Sequence, residues 1–150
     1  MKKNPLPIVE NKVMETEWGR CIGHRAEWNG GMYCALITNR GLIGCGAYDV
    51  VCLGEANHIV AISRGTQENP YVYPEQLFEA RIMALTDEAR KVGIRKGMKG
   101  KEALRILLEL DKTSGEEDPR AKPRKTCKKK APGKLKGTSQ VTRRANPGPT

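Results

Sequence analysis

Apolar positions along this chain fall into short runs broken by glycine, asparagine and proline, not into long helical stripes. Residues 32–38 (MYCALIT) and 42–48 (LIGCGAY) flank Asn39-Arg40-Gly41. That spacing predicts a hairpin with a three-residue loop and Gly41 in the left-handed position of a bulge. Thr38 then faces Leu42, Ala35 faces Cys45 and Cys34 faces Gly46. On this register Cys34 and Cys45 point to opposite sides, since side chains alternate along a strand, and no disulfide joins them. Both strands are apolar on both faces, which predicts a central hairpin.

The flanking pattern is mixed. Residues 20–28 alternate weakly and read as a strand, with His24 and Trp28 as packing residues. Asp49 is placed to cap a short helix ending near Asn57. Residues 58–63 (HIVAIS) have the β-branched content of a third core strand, closed by Arg64-Gly65-Thr66. Residues 77–85 (LFEARIMAL) alternate as a strand with one partly solvated face, although their composition also suits a helix. Thr86-Asp87-Glu88 starts a helix that Gly93 ends, and residues 101–110 form a second, with Leu104, Leu107 and Leu108 inward. The expected fold is therefore an α/β (α+β) domain, a small mixed β-sheet carrying two or three short helices, over residues 18–112. Residues 1–17 read as a polar arm containing Pro5 and Pro7.

Charge separates a tail from this body. The 150 residues carry a formal charge of +10, yet residues 119–150 hold 11 Lys/Arg and no acid, against 16 basic and 17 acidic side chains in the remaining 118. The body is thus not a basic nucleic-acid fold. Residues 113–150 are rich in Lys, Arg, Pro and Gly and poor in large apolar side chains, so they are expected to be disordered in isolation. Lys122, Arg124, Lys125, Lys128, Lys129, Lys130, Lys134, Lys136, Arg143 and Arg144 form a dispersed cationic ribbon suited to sequence-independent contact with RNA, DNA or a ribonucleoprotein. No aromatic residue accompanies them for base stacking. A solvated tail without a fixed partner is the other reading.

Five cysteines, no secretory leader pattern and no run of about 18 apolar residues point to reduced thiols in a cytoplasmic protein, with no membrane partner. No C-x-x-C pair or zinc-like His/Cys spacing occurs, so neither metal nor cofactor is expected. A homo-oligomer would cover apolar strands in a domain this small.

Three segments in order, CGAYDV at 45–50, the strand leading to Arg64-Gly65-Thr66, and GIRKGMKGKEAL at 93–104, resemble the YunC-like family of small bacterial and archaeal proteins, a domain of unknown function. The resemblance spans about residues 30–110. It implies a compact mixed α/β domain and supplies no activity. Residues 67–76 look expanded relative to that pattern, and the basic tail lies outside it.

The candidate chemistry gathers where the glycine-rich strand ends. Cys45, Gly46, Asp49, Arg64 and Thr66 border one strand end, where Arg64 and the start of a helix would bind a small anion. The expected function is that of a non-enzymatic accessory protein whose domain binds such a ligand or a protein partner. In the alternative, enzymatic reading Cys45 is a nucleophile beside Arg64, and His24 or His58 must supply a base. Read structurally, Cys45 is a small buried hydrophobe, Asp49 caps its helix and Arg64 pairs with it. The 93–102 segment lacks the G-x-x-x-x-G-K-[ST] pattern and reads chiefly as a tight helix connection around Met98.

Overall fold

The computed structural model describes residues 4–113. Six strands make one sheet in chain order: β1 (Ile8–Thr16), β2 (Gly19–Trp28), β3 (Gly31–Ile37), β4 (Gly41–Cys45), β5 (Ile59–Ser63) and β6 (Ala84–Leu85). Neighbours are antiparallel except β4 and β5, which run parallel and are joined through helix α1 (Val50–Glu55). Helices α2 (Asp87–Lys91) and α3 (Gly100–Thr113) follow β6. The mixed α/β sheet with short helices expected from the sequence is what forms. The tail assigned to polyanion contact lies outside the described residues.

The N-terminal segment is not an arm. Residues 8–16 pair with Gly19 to Glu27 of β2 as the outer strand of the sheet. Most of its side chains are exposed on both faces, so no apolar alternation marks it. Backbone pairing holds it, and composition does not record that.

The β3–β4 hairpin forms with a different register. The Thr38 N–H donates to the Gly41 carbonyl at 2.9 Å, while the Thr38 hydroxyl accepts from Arg40 N and Gly41 N. Only Asn39 and Arg40 remain in the loop, and Gly41 is not among the positive-φ residues. Its missing Cβ answers a different need: an added Cβ would lie 2.2 Å from the Ile59 carbonyl oxygen of β5. Ala35 therefore faces Gly44, Leu36 faces Ile43 and Ile37 faces Leu42. The one-residue shift moves the partner of every side chain to the other face. Cys34 comes opposite Cys45, on the same side of the sheet, contrary to the three-residue-loop register.

Residues 77–85 are not a strand either. Pro74–Phe78 is a 3-10 turn, and only Ala84–Leu85 pairs with β5. In between, Ile82 N donates to the Met98 carbonyl, Gly100 N to the Ala80 carbonyl and Gly97 N to the Ile82 carbonyl, each at 2.8 Å. This stretch uses a partner distant in sequence, so its own periodicity is uninformative. Leu77 and Ile82 are fully buried.

Helix α3 packs as its spacing predicts, burying Ala103, Leu104, Leu107 and Leu108. With Leu77, Ile82 and Ile94 these close over Cys21, Cys34, Leu36, Ile43, Cys45 and Ala61, all on one face of the sheet. Thr86 caps α2 through its hydroxyl, and Gly93 has φ +105° just past the helix end. Asn57, at φ 59°, turns the chain beyond α1.

Candidate functional site: a cysteine pocket at the ends of β4 and β5

Parallel pairing sets Cys45 beside Ser63, so two strands release their chains at one end of the sheet. Beyond β4 the chain turns through Gly46 and Ala47, with Tyr48 N donating to the Cys45 carbonyl at 3.3 Å. Beyond β5 it passes through Arg64, Gly65 and Thr66. The two exits, with Met32 of β3 and the returning Pro70 and Tyr71, line a pocket of about 220 Å³. Clefts outside the carboxyl ends of parallel strands are the usual place for ligands in α/β sheets.

Glycines permit the close approaches here. A Cβ on Gly46 would lie 3.3 Å from the Arg64 Cγ, so Arg64 crosses directly over that position. A Cβ on Gly65 would lie 2.8 Å from the Asn69 carbonyl oxygen and 2.9 Å from Tyr71 N. Thr66 closes the same loop, its hydroxyl oxygen accepting from Asn69 N at 3.0 Å.

Cys45 is 7% exposed and lines the pocket; Cys34 behind it is fully buried. In a regular ladder the Cys34 N–H would donate to the Cys45 carbonyl. It donates instead to the Cys45 sulfur, at 3.5 Å. A hydrogen bond from the Cys34 thiol, with the backbone N–H groups of Ala47, Cys34 and Cys45 adding to it, outweighs the burial that favours the neutral thiol. The Cys45 thiol is held down at about 6. Cys34 is driven the other way, first by its hydrogen bond to Cys45 and then by burial, so it keeps the proton the pair shares. Its sulfur also lies 3.6 Å from the Tyr71 carbonyl oxygen, a second acceptor. Burial pushes the Tyr48 hydroxyl up to about 12, and the nearby Cys45 charge adds to that.

Of the residues singled out in the sequence, Cys45, Gly46, Arg64 and Thr66 come together in this pocket. Asp49 does not line it. Its carboxylate accepts from Val51 N and Cys52 N at 2.9 and 3.2 Å and serves as the N-cap of α1. Neither histidine reaches the sulfur. His24 pairs in register with Ala35, on the opposite face, and hydrogen-bonds Asn11. His58 precedes β5, at the end away from Ser63. Neither is placed to supply the base that an enzymatic reading demands. Sequence inspection missed Cys34 because its role depends on register. It missed Ser63 too, a fully buried hydroxyl without a hydrogen-bond partner in the structure.

The 93–102 segment is structural. Glu102 accepts from Lys99 N at 2.9 Å at the start of α3, and Met98 packs on the core. A groove of about 600 Å³ runs beside it, but Lys101 and Arg105 on its rim are paired with Glu79 and Glu109. Among the described residues no three His, Cys, Asp or Glu side chains converge as metal ligands, and no helix is long and apolar enough to cross a membrane.

Residues 44–107 match the sequence model of a family described as a domain of unknown function (DUF1805). The match begins in β4 and runs into α3, so it contains Cys45 and Arg64 but not Cys34. The likeness to the YunC-like family is one of sequence motifs within and around this stretch. No curated protein matches the chain. Among solved structures, a protein of unknown function, TA1206 from Thermoplasma acidophilum, superposes with a TM-score of 0.61 at 14% identity. The alignment covers 71% of this chain and 99% of that one, and it is a likeness of fold alone.

Proposed function

We propose that the pocket at the ends of β4 and β5 is a cysteine-dependent site for a small anionic substrate, with Cys45 as nucleophile and Arg64 as counter-cation. The observation that carries this reading is the Cys34 N–H turned onto the Cys45 sulfur, in a residue that lines the same pocket as Arg64. Backbone N–H groups aimed at a sulfur favour its anion as a neighbouring imidazolium would. Cys45 Sγ then displaces a leaving group from an electrophilic carbon of the substrate: the S–C bond forms while the leaving group departs with its electron pair. Arg64 orients the substrate's carboxylate or phosphate across Gly46.

Paired alkylating reagents test both roles. Iodoacetate is anionic and iodoacetamide neutral. Cys45 is expected to favour iodoacetate relative to the exposed Cys52, and Arg64→Gln to abolish that preference while leaving the iodoacetamide rate within about twofold. A Cys45 that labels only after denaturation, or whose preference ignores Arg64, would overturn the reading.

The tail carries a second, separate reading: eleven cations without an acid over residues 119–150 support contact with a polyanion. Binding of RNA and DNA by the full chain and by a chain ending at Thr113, compared across salt concentrations, tests it.

A further inference from the structure

We propose that Cys34 and Cys45 form a reversible dithiol–disulfide couple, in which a hydroperoxide oxidises Cys45 and Cys34 resolves it. This rests on the reading of Cys45 as the reactive thiol of the pocket. The register carries it. The last paired rung is Ala35 with Gly44, and one position further on each strand stand Cys34 and Cys45, opposite one another and on one face of the sheet. A disulfide needs Cα atoms roughly 4.4–6.8 Å apart, a range that positions directly opposite on neighbouring antiparallel strands ordinarily meet. Here the Cys34 N–H already reaches the Cys45 sulfur. The two thiols also differ in access: Cys45 opens on the pocket, whereas Cys34 is sealed behind it.

The chemistry follows that asymmetry. The Cys45 sulfur attacks one peroxide oxygen, the O–O bond breaks, and the departing alkoxide or hydroxide takes up a proton, leaving Cys45 as a sulfenic acid. Cys34 then gives up its proton and attacks the Cys45 sulfur; the S–O bond breaks and water leaves as the disulfide forms. A small external thiol, by two exchange steps, restores both cysteines and is itself oxidised. Cys21 is buried and its thiol pushed up by burial, and Cys52 lies exposed on α1, so neither competes for this partner.

The full chain, reduced and then treated with one equivalent of hydrogen peroxide, is expected to lose two titratable thiols and two hydrogens in mass. Peptide mapping then joins Cys34 to Cys45. Cys34→Ser is expected to stop at a sulfenic acid on Cys45 that dimedone traps, and Cys45→Ser to leave Cys34 reduced. Oxidised wild type with Cys34 still free, or with Cys45 bonded to another cysteine, overturns the couple. Iodoacetate labelling separates the two claims: normal labelling with no Cys34–Cys45 bond sinks the couple alone, and an inert Cys45 sinks both.

Independently of the thiols, we infer that the edge of β1, which no strand among the described residues covers, pairs antiparallel with β1 of a second copy, about a two-fold axis at Asn11. The strand is long, outermost and exposed, and such edges template pairing with another chain. The two-residue turn before Gly19 makes Thr16 and Gly19 a hydrogen-bonded pair, so by alternation Val9, Asn11 and Val13 turn their backbone groups outward. Centring the pair on Glu10 or Lys12 would oppose like charges. Centring it on Asn11 sets Glu10 against Lys12 twice, Val9 against Val13 on one face and Ile8 against Met14 on the other. Both charges are accessible, with side chains 61% and 56% exposed, while engaged with Arg25 and Glu75 of their own chain. Val9 and Val13 are 62% and 60% exposed, so the seam also covers apolar surface. Pro7, without an N–H, ends the pairing.

Sedimentation equilibrium of the full chain is expected to show a dimer that Glu10→Lys or Lys12→Glu alone dissociates at least tenfold more readily. The double swap restores association, although it cannot restore the pairs with Arg25 and Glu75. A monomeric wild type, or swaps without effect, overturns this assembly.

Discussion

Across the β3–β4 ladder the Cys34 N–H donates to the Cys45 sulfur at 3.5 Å, where a regular strand pair would offer it a carbonyl. The displaced Cys45 carbonyl takes Tyr48 N in the turn that follows. One exchange of hydrogen bonds thus both ends the strand and sets an N–H on the sulfur.

Alkylation of Cys45 by iodoacetamide should rise with a midpoint near pH 6, as its depressed thiol requires. The unfolded chain should show the ordinary midpoint of about 8.5. Mass-spectrometric peptide quantitation across pH 4.5–9.5 reads both.

Thr86→Val should cost about 2–3 kcal/mol, seen as a fall in Tm on the order of 5–10 °C. The Thr86 hydroxyl donates to the His58 carbonyl at 2.7 Å and accepts from Val60 N and Ala89 N. Its loss leaves those buried groups unpaired at the start of β5 and of α2. Thr86→Ser should recover most of the stability.

Glu79 accepts from both Lys99 and Lys101, which hold its carboxyl down at about 2. A carboxylate depressed on folding adds stability at pH values above its unfolded pKa of ~4.3, and loses it as pH falls toward about 2. The Tm difference between wild type and Glu79→Gln should therefore be present at pH 7, shrink below pH ~4.3, and be reduced by added salt. Thermal scans from pH 2 to 7 check it.

Two glycines near α3 should respond differently to alanine. A Cβ on Gly100 would sit 1.8 Å from the Leu77 carbonyl oxygen, so Gly100→Ala should cost about 3 kcal/mol or more. Gly93 has open space around it but φ +105°, and Gly93→Ala should cost only about 1–2 kcal/mol of backbone strain. Urea denaturation of the two variants ranks them.

Much of the architecture was legible where one residue carries one local signal. Asp49 and Thr86 are caps because a short oxygen-bearing side chain precedes each helix, and Gly93 ends α2 as its position suggested. Helix α3 announced its buried face through Leu104, Leu107 and Leu108. Cys45, Gly46, Arg64 and Thr66 were picked out together because two strand ends carry them. The failures share a cause. β1 is solvated on both faces and has no pattern to show. Ala80 and Ile82 satisfy their backbone on the 97–100 segment, roughly 15–20 positions away, and alternation cannot report that.

The sequence by itself determined the capped helices, the β4 and β5 core strands and the separation of a neutral body from a cationic tail, because each rests on composition or on neighbours within a turn. The tertiary structure alone decided what Cys45 faces. Thr38 closes a two-residue loop in place of a three-residue one, and Gly41 is spent on clearance from Ile59 and not on a left-handed bulge. With a side-chain period of two, that single residue of register brings Cys34 from the far side of the sheet onto the sulfur of Cys45.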